Sequence, residues 1–410
     1  MSFSLKRYRV IDFGTAMAAP VLTRMLADMG AEVIKVESRE KMDGVRMGRP
    51  IIGDDIAGGD KGAWPNLQPA FHNYNRNKKG ITLNFKHPKG FNLLKDLIGI
   101  SDIVCNNFRP GLMEEIGLGY PELVKIKPDI IDISLTGLGE YGPWSRLPTY
   151  AHSIAALGGL NSLVGYRNEL VGTMANAFGD SNASIHGALA VLAALYYRNR
   201  TGKGQHIDLS EAQACTSLLG EAIMDYIMND RTPGPEGNDY PVFAPRNNYR
   251  CEGEDKWVSI AVKTEAEWRN FCSAIGNPTW VKEKKFSDKY GRWENREELD
   301  KGITSWTENQ SPYEVMEKLQ KAGVASAPVM NIEDEYFDPH FKERQTFVEF
   351  EHPLVGFEAI YGIPWKMSKT PGQIYRHAPS LGEDNDYVFG RLLGLNKDDI
   401  VELKAEKVIY

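Results

Sequence analysis

Asp180 stands behind a glycine at the start of a long helical pattern. Residues 178–182 read FGDSN, and the apolar spacing of a helix follows to about residue 200. Aspartate is a preferred N-cap residue, because its oxygen accepts hydrogen bonds from the free amides of a helix start. An ionised carboxylate can also attack an activated acyl group and form a covalent intermediate. The pattern by itself leaves both interpretations open.

A second group of residues is suited to holding an anion. Arg76, Lys78, Lys79 and Lys86 surround the start of a predicted strand, and such cations bind phosphates through charge-assisted hydrogen bonds. A solvated loop is the alternative interpretation of this basic cluster. The segment NNFRPG at 106–111 adds an aromatic ring and an arginine at the end of another strand, where open parallel sheets bind ligands.

Several other chemistries lack their motifs. A dinucleotide-binding turn needs GxGxxG, and FGTAMAAP at 13–20 supplies one glycine of the three, which leaves a dehydrogenase as a disfavoured alternative. The eight histidines show no HxxxH or HExxH spacing, so we expect no metal site. Ser181 lacks the GxSxG elbow of a hydrolase serine, and no GxxxxGK[ST] loop is present.

Composition narrows the class of protein. The 410 residues are 42% hydrophobic and 25% charged, which is typical of a globular protein, and the net charge of −7 argues against nucleic-acid binding. The four cysteines form no disulfide or metal spacing. The N-terminal MSFSLKRYRVIDFG has no apolar signal region, and the run 188–197 is shorter than the roughly 20 residues of a membrane span. We expect a cytoplasmic protein without membrane contact.

Strand and helix patterns alternate along the first half of the chain. Residues 8–37 predict a strand, a helix and a second strand. The segments ITLNF, DIVCNNF and DIIDISL are further strand candidates. Buried strands that alternate with helices predict a parallel sheet with helices on both faces. Further helices are predicted at about 181–200 and 211–228, a linker at 231–241 and a hairpin in NNYRCEGEDKWVSIAV. The periodicity after about residue 323 fits either a separate lobe or a return to the first.

Long blocks of the sequence resemble the class III CoA-transferases, the family of formyl-CoA transferase and carnitine CoA-transferase. The resemblance covers almost the whole chain and is carried by VIDFGTAMAAPVLTRMLADMGAEVIKVE, YNRNKKGITLNFKHPKG, NNFRPGLMEEIGLGY, SLTGLGEYGP, FGDSNASIHGALAVLAALYYRNRTGKGQHIDLSEAQ and APSLGEDN. It implies an enzyme that moves CoA between carboxylic acids and uses CoA thioesters as substrates, with no permanently bound cofactor.

The resemblance gives Asp180 the role of nucleophile. It implies that Asp180 attacks the thioester of an acyl-CoA, that a mixed anhydride forms, and that the CoA thiolate then attacks the aspartyl carbonyl. Aspartate has an unperturbed pKa near 3.9, so it is ionised at neutral pH without a base. Helix-start amides can stabilise both the carboxylate and the developing oxyanion, so a cap and a nucleophile are compatible roles.

A racemase branch of the same family offers an internal comparison. Its members carry a His-Asp pair thirty residues before the aspartate, and the alignment places Tyr150 and Ala151 there. Proton exchange by two bases then lacks one partner, so Tyr150 favours transfer. An acyl-CoA racemase or epimerase, and a non-catalytic subunit of a heteromeric transferase, stay as alternatives.

The remaining site residues are carried over from the family by position. We expect backbone groups and Phe108 to hold the adenine and Arg39, Lys86 and Arg109 to meet phosphates. Gly179 is expected to let the substrate approach the backbone. The full set of expected CoA and substrate contacts is Met17, Ala18, Arg39, Leu83, Asn84, Phe85, Lys86, Asn107, Phe108, Arg109, Tyr150 and Gly179.

The resemblance also implies an architecture and a substrate class. A large Rossmann-like domain is expected from residues 1–230 and 324–410, with a linker at 231–241 and a smaller α+β domain at 242–323; two chains interlock as a homodimer or as a heteromer with a paralogous subunit. Glu115, Met17 and the missing glycine-rich lid depart from the formyl-CoA transferase pattern. With Trp64 and Phe71 in the segment 48–73, they predict a succinyl-CoA donor and an aromatic or branched dicarboxylate acceptor such as benzylsuccinate.

Overall fold

The computed structural model describes residues 3–48, 62–167, 169, 177–239 and 243–410. The chain divides into two compact units. One contains residues 1–161, 173–231 and 340–410, and the other contains residues 162–172 and 232–339. The first unit is therefore built from both ends of the chain.

Six parallel strands form the sheet of the first unit. They follow the order β3-β2-β1-β4-β5-β6, the order of a doubly wound nucleotide-binding sheet. The predicted parallel α/β fold is thus confirmed. The strands are β1 (Arg9–Asp12), β2 (Glu32–Glu37), β3 (Lys79–Thr82), β4 (Ile103–Asn106), β5 (Ile131–Thr136) and β6 (Gln205–Ser210).

Nine α-helices accompany these strands up to residue 231 within the described residues. They are α1 (Ala18–Asp28), α2 (Pro69–Asn75), α3 (Pro88–Gly99), α4 (Leu112–Glu115), α5 (Tyr120–Ile126), α6 (Ala151–Leu157), α7 (Phe178–Thr201), α8 (Glu211–Thr216) and α9 (Gly220–Asn229). The prediction of one helix over 211–228 is wrong. Hydroxyls of Thr216 and Ser217 bond back to the carbonyls of Ala212 and Ala214, and Gly220 follows, so the helix is interrupted.

Successive residues of each strand point to opposite faces, and each face has its own core. On one face, Ile11, Ile34 and Val104 pack in a cluster with α3. On the other face, Val10 and Val33 pack in a cluster with α1 and α7. Because both faces are covered, apolar residues on both sides of the strands are buried, and polar residues such as Asp12, Lys35 and Asp132 are buried among them.

The second unit is a three-stranded antiparallel sheet with helices. Its strands are β7 (Arg246–Arg250), β8 (Trp257–Ala261) and β9 (Ala325–Pro328), in that order, so the predicted hairpin is present as β7 and β8. Its helices are α10 (Glu265–Ala274), α11 (Lys289–Glu294), α12 (Arg296–Thr307), α13 (Pro312–Lys321) and α14 (Ile332–Phe337). Residues from β7, β8, α10, α12 and α13 share one core, which includes Tyr249, Phe271 and Leu319, and Val324 directly before β9 joins it.

The chain returns to the first unit later than expected. The segment predicted to begin the return at 324 is β9, which pairs with β8 through Val258 and Pro328, and the first unit resumes at residue 340. The last elements are α15 (Pro339–Glu343), β10 (Phe347–His352), β11 (Gly356–Tyr361), a π-helical segment (Asp386–Leu392) and α16 (Lys397–Ala405). Short 3₁₀ helices lie at Gly44–Arg46, Trp64–Asn66, Leu160–Leu163, Thr279–Lys282 and Lys284–Phe286.

The final residues of the chain lie beside β3. The amide of Asn84 donates to the carbonyl of Val408 over 2.8 Å, and the amide of Tyr410 donates to the hydroxyl of Thr82 over 3.1 Å. Val408 and Ile409 are fully buried in the α3 core. Residues 328 positions apart in sequence therefore complete one edge of the sheet.

Candidate active site

Asp180 lies in the first turn of α7. The helix begins at Phe178 with Ala177 at the N-cap, and no side chain caps it. The interpretation of Asp180 as the N-cap is therefore wrong, because Asp180 is the third residue of the helix. Its partly buried carboxylate still lies at the positive end of a 24-residue helix, where a negative charge is stabilised.

Gly179 is needed for the packing of α6 on α7. A Cβ atom at this position would lie 3.1 Å from Cγ2 of Ile154 and 3.4 Å from the carbonyl oxygen of Ala151. We expected a substrate to approach the backbone at Gly179, but in the structure α6 of the protein itself packs closely there. A larger residue would push α6 away from the first turn that carries Asp180.

Tyr150 begins α6 and exposes its ring. Its amide donates to the hydroxyl of Ser153 over 2.8 Å, and 84% of its surface is accessible. The backbone of Tyr150 thus starts the helix that contacts Gly179, and its ring lies at the surface.

Two titratable residues near Asp180 were not singled out from the sequence. Asp180 accepts a hydrogen bond from the carboxyl group of Glu211, the first residue of α8, and His152 on α6 exerts a charge effect on Asp180. Burial raises the pKa of Asp180, while Glu211 and His152 act to lower it. Burial, helped by the Asp180 charge, raises the pKa of Glu211 well above its usual range. The position of Glu211 directly after the strand pattern IDLS was the available signal.

The loop before α1 is fixed by side chains from neighbouring strands. Asn107 exchanges two hydrogen bonds of 2.9 Å with the backbone of Thr15. The amide of Ala16, a residue with φ of 58°, donates to Asp43 over 2.8 Å, and Lys35 donates to the carbonyl of Gly14 over 2.6 Å. Asn107, which we expected to bind CoA, thus holds this loop in place.

Met17 and Ala18 connect this loop to the helix of Asp180. Met17 is the N-cap of α1 and Ala18 is its first residue. The hydroxyl of Ser184 lies 2.7 Å from the carbonyl oxygens of both Ala18 and Asp180. The start of α1 is therefore fixed one turn beyond Asp180.

A cavity of about 490 Å³ brings several predicted CoA contacts together, and we call it the adenine cavity after the group that the sequence analysis expects there. The rings of Phe85 and Phe108 each lie 6.2 Å from the ring of Phe13. Lys86 is exposed at its edge. The predicted residues that line this cavity are Leu83, Asn84, Phe85, Lys86 and Phe108, and they are joined by Gly14 and Thr15 of the loop.

The predicted phosphate-binding cations have different environments. Arg76 and Lys78 are buried in ion pairs of 2.8 Å with Asp28 and Asp12, and Lys79 lies 4.0 Å from the ring centre of Tyr387. The interpretation of Arg76 and Lys78 as phosphate ligands is therefore wrong, whereas Lys79 is only partly buried. Lys86 alone of the four is exposed at the adenine cavity.

The two arginines expected at phosphates are both exposed. Arg109 forms a two-pronged ion pair with Glu115, with one hydrogen bond of 2.8 Å, and this pair raises the pKa of Arg109. Arg39 lies between Ser38 and Glu40, which line the adenine cavity, although Arg39 itself does not. In this arrangement Glu115 neutralises one of the two arginines that we expected to meet phosphates.

A larger cavity of about 680 Å³ lies beside Asp180, and we call it the acyl cavity after the substrate group expected next to that residue. Ala177 and Ser181 on either side of Asp180 line it, together with Met17. Most of the remaining lining is apolar, and Arg24 and Arg344 contribute cations. Tyr74 also lines it, and the charge of Asp180 is one cause, after burial, that raises the pKa of Tyr74. The loop from Gly14 to Met17 thus contributes to both cavities.

The segment 48–73, from which we predicted an aromatic or branched acceptor, is only partly described. Residues 49–61 lie outside the described residues. Phe71 is fully buried, with the Arg46 guanidinium 3.4 Å from its ring centre, so it belongs to the core. Trp64 is half-buried in a 3₁₀ turn and lines neither cavity.

Other kinds of site find no support in the described part of the chain. None of the groups of His, Cys, Asp and Glu found there is arranged to hold a metal ion. Among those same residues, no helix has the length and apolar character needed to span a bilayer. The four cysteines are buried free thiols.

Comparison with known proteins identifies the family. The family described as CoA-transferase family III matches residues 5–385. This chain belongs to CoA-transferase family III. It is an enzyme that transfers CoA between an acyl-CoA and a carboxylic acid.

Named relatives of this transferase differ in their acids. The chain is 32% identical to the succinyl-CoA–D-citramalate CoA-transferase of Chloroflexus aurantiacus, over 98% of this chain and 97% of that protein. It is 31% identical to the beta subunit of succinyl-CoA–L-malate CoA-transferase of the same organism, over 98% and 97%. It is 29% identical to a formyl-CoA:oxalate CoA-transferase of Bradyrhizobium, over 98% and 96%.

A solved structure supports the fold of this transferase. A CAIB/BAIF family protein from Brucella suis superposes with a TM-score of 0.86 at 28% identity, covering 96% of this chain and all of that one.

Proposed function

We propose that this transferase moves CoA from succinyl-CoA to a dicarboxylic acid, with Asp180 as the covalent nucleophile. One observation carries the proposal: a partly buried carboxylate lies in the first turn of a long helix, beside a cavity of about 680 Å³. The main chain at that end of the helix presents free amides to an anion. We propose that the predicted contacts that line the adenine cavity, Leu83, Asn84, Phe85, Lys86 and Phe108, bind the CoA part of the substrate.

The proposed reaction balances without a resident cofactor. Asp180 attacks the donor thioester, the C–S bond breaks, and CoA leaves as a thiolate while an aspartyl mixed anhydride forms. The thiolate attacks the aspartyl carbonyl and releases the donor acid, which leaves an aspartyl-CoA thioester. The acceptor carboxylate attacks this thioester, which releases the CoA thiolate and forms a second mixed anhydride. The thiolate then attacks the acceptor's carbonyl in this anhydride, so that the new CoA thioester forms and the Asp180 carboxylate is restored.

Trapping with hydroxylamine tests this proposal. The protein is mixed with succinyl-CoA, quenched with hydroxylamine and analysed by peptide mass spectrometry. We expect a hydroxamate at Asp180, because hydroxylamine attacks the aspartyl carbonyl of both the mixed anhydride and the aspartyl-CoA thioester. Absence of the adduct, with CoA binding shown by calorimetry, would reject the nucleophile and favour a non-catalytic subunit.

The acceptor is proposed to be an aromatic or branched dicarboxylate such as benzylsuccinate. The acyl cavity has room for more than a short acid, and its lining includes Phe341, Ile363 and Trp365. Arg24 and Arg344 at the same cavity can pair with a second carboxylate. Assays with succinyl-CoA and benzylsuccinate, citramalate, malate, oxalate and formate test this proposal. Reaction with short acids alone would reject the aromatic acceptor.

Two exposed apolar surfaces support assembly with a second chain. On α7, Ile185, Leu189, Leu192 and Tyr196 form one exposed stripe, and α9 has no buried residue although it carries Ile223, Met224, Ile227 and Met228. Exposed apolar patches of this kind mark interfaces. We propose a homodimer, or a heteromer with a paralogous subunit. Light scattering of the purified chain distinguishes these, and a stable, fully active monomer would reject both.

His152 supports a second candidate, proton exchange at the α carbon of an acyl-CoA. This histidine is close enough to Asp180 to affect its pKa, although it lies two residues after the position where the racemases carry theirs. Incubation of a chiral 2-methylacyl-CoA in deuterium oxide measures this activity. Deuterium at the α carbon without CoA transfer would favour the racemase.

A further inference from the structure

Asp180 and Glu211 form a pair of carboxyl groups that needs a proton. They are joined by a hydrogen bond, and a hydrogen bond between two carboxyl groups requires one of them to be protonated. Two ionised carboxylates in contact would repel each other, and burial strengthens this repulsion. The pair therefore carries one negative charge and one proton at neutral pH.

Burial and surroundings indicate which residue holds the proton. Glu211 is 4% exposed, whereas Asp180 is less buried and lies at the positive end of α7. When His152 on α6 is protonated, its charge also favours the charged form of Asp180. Among the described residues, Cys215 of α8 is a further titratable group near Glu211; burial raises the pKa of this thiol, and it supplies no positive charge.

An unpartnered atom agrees with this assignment. Oε2 of Glu211 is buried and has no hydrogen-bond partner among the described residues. Such a position is costly for an anionic oxygen and less so for the oxygen of a neutral carboxylic acid.

We propose that Glu211 is a positioning residue of the transferase, which keeps its carboxyl proton at neutral pH and donates it in a hydrogen bond to one oxygen of Asp180. This inference rests on the proposed role of Asp180 as nucleophile. The bonded oxygen is held towards α8, so the other oxygen is presented to the thioester.

The same hydrogen bond assists the second step. Once Asp180 is acylated, the oxygen that accepts from Glu211 is the carbonyl oxygen of the mixed anhydride. When the CoA thiolate attacks that carbonyl, negative charge develops on this oxygen, and a donor already aimed at it stabilises the charge. The proton stays on Glu211 in this step, so no other acid is required.

Two substitutions separate hydrogen bonding from packing. Glu211→Gln keeps a donor of similar size and cannot ionise, and Glu211→Leu keeps the approximate volume without a donor. We expect kcat of Glu211→Gln to stay within about tenfold of wild type and kcat of Glu211→Leu to fall about a hundredfold. We also expect an alkaline limb in the wild-type pH profile that Glu211→Gln lacks, because deprotonated Glu211 repels the Asp180 carboxylate. Equal loss in both variants, with unchanged melting temperatures, would overturn the proposal.

Infrared difference spectroscopy tests the proton without using activity. Wild type at neutral pH is expected to show a carbonyl band of a protonated carboxylic acid that Glu211→Gln lacks. If the carbonyl band of protonated carboxylic acids is the same in both proteins, Glu211 is ionised and the inference is overturned. If hydroxylamine trapping fails while this band is present, the proposed nucleophile is wrong and the protonation of Glu211 still holds.

Discussion

Asn107 and Thr15 are joined by two hydrogen bonds of 2.9 Å, one in each direction between the side-chain amide and the backbone. Asn107 follows β4, and Thr15 lies in the loop between β1 and α1. This pair therefore fixes the loop that contributes Thr15 to the adenine cavity and Met17 to the acyl cavity. The shape of both cavities depends on it.

Replacing Asn107 by aspartate tests this dependence. The substitution removes the donor to the carbonyl of Thr15 and places two oxygens in contact. We expect kcat/KM for succinyl-CoA to fall about tenfold, which corresponds to about 1.4 kcal/mol for a lost hydrogen bond. Steady-state kinetics measures the change, and Asn92→Asp on the exposed side of α3 is the control. Equal kinetics for the two variants would mean that the loop does not need Asn107.

Asp180→Asn is expected to abolish transfer while binding persists. The amide is not nucleophilic, so kcat falls by at least about a thousandfold. Calorimetry should still show binding of acyl-CoA, because the adenine cavity is unchanged. Asp386→Asn, which alters an exposed carboxylate of the same unit, is the control and should leave kcat unchanged. Turnover by Asp180→Asn within tenfold of wild type would exclude the covalent route.

Lys86→Met is expected to weaken binding of CoA thioesters. Lys86 is the exposed cation of the basic cluster at the adenine cavity, and a charge-assisted hydrogen bond to phosphate contributes about 1.5 kcal/mol. We expect KM for succinyl-CoA to rise about tenfold, with kcat unchanged and the difference smaller at high salt. Lys125→Met, at an exposed pair with Glu122, is the matched control. A fall in kcat at constant KM would place Lys86 elsewhere in the reaction.

Glu115→Gln is expected to improve the enzyme's affinity for CoA thioesters. The ion pair with Glu115 occupies the Arg109 guanidinium, and its loss leaves this cation available to a phosphate. KM for succinyl-CoA should fall several-fold at low ionic strength, as measured by initial rates. Glu122→Gln, which breaks a pair of similar exposure, is the control. An unchanged KM would show that Arg109 does not contact CoA.

His206 is expected to make stability depend on pH. Its two nitrogens lie 2.8 Å from Asp132 and 2.7 Å from Glu140, and these hydrogen bonds raise the pKa of His206 to about 10. Imidazole in an unfolded chain titrates near 6.5. The folded state thus binds the proton more tightly, so this stabilisation is complete below about pH 6.5 and is lost as the pH rises towards 10.

Urea unfolding of His206→Gln measures this effect. At pH 6 the variant should be less stable by about 1–3 kcal/mol, and the difference should shrink as the pH approaches 10. His186→Gln is the control, because its imidazole bonds to the main-chain carbonyl of Asn182. A constant difference across this range would contradict the charged state of His206.

The parallel sheet could be predicted because its signal is local. Most strands contain a short run rich in apolar residues, because burial on both faces favours such residues, and a helix pattern follows. The boundary at 324 could not be predicted in this way. Ala325–Pro328 has the composition of a strand for either unit, and only its pairing with Val258 assigns it to the second.

Which residues of the candidate site come together could be predicted only in part. Phe85, Lys86 and Phe108 lie at strand ends, and strand ends of a parallel sheet meet at one edge. The burial of Arg76 and Lys78 could not be predicted, because their ion-pair partners Asp28 and Asp12 are distant in sequence. Glu211 was missed for the same reason, since a glutamate after a strand shows nothing of the aspartate 31 residues earlier that contacts it.

The contact of residues 408–410 with β3 sets an order of events during synthesis. The ribosome releases β3 more than 300 residues before Tyr410, which donates to Thr82. Until then one edge of the sheet lacks this neighbour, and the apolar groups that cover Val408 and Ile409 face water or a chaperone. Residues 232–339 have a core of their own and can fold while the remainder is still being translated. The unit that carries Asp180 is therefore completed later than the unit of residues 232–339, because it needs residues 340–410.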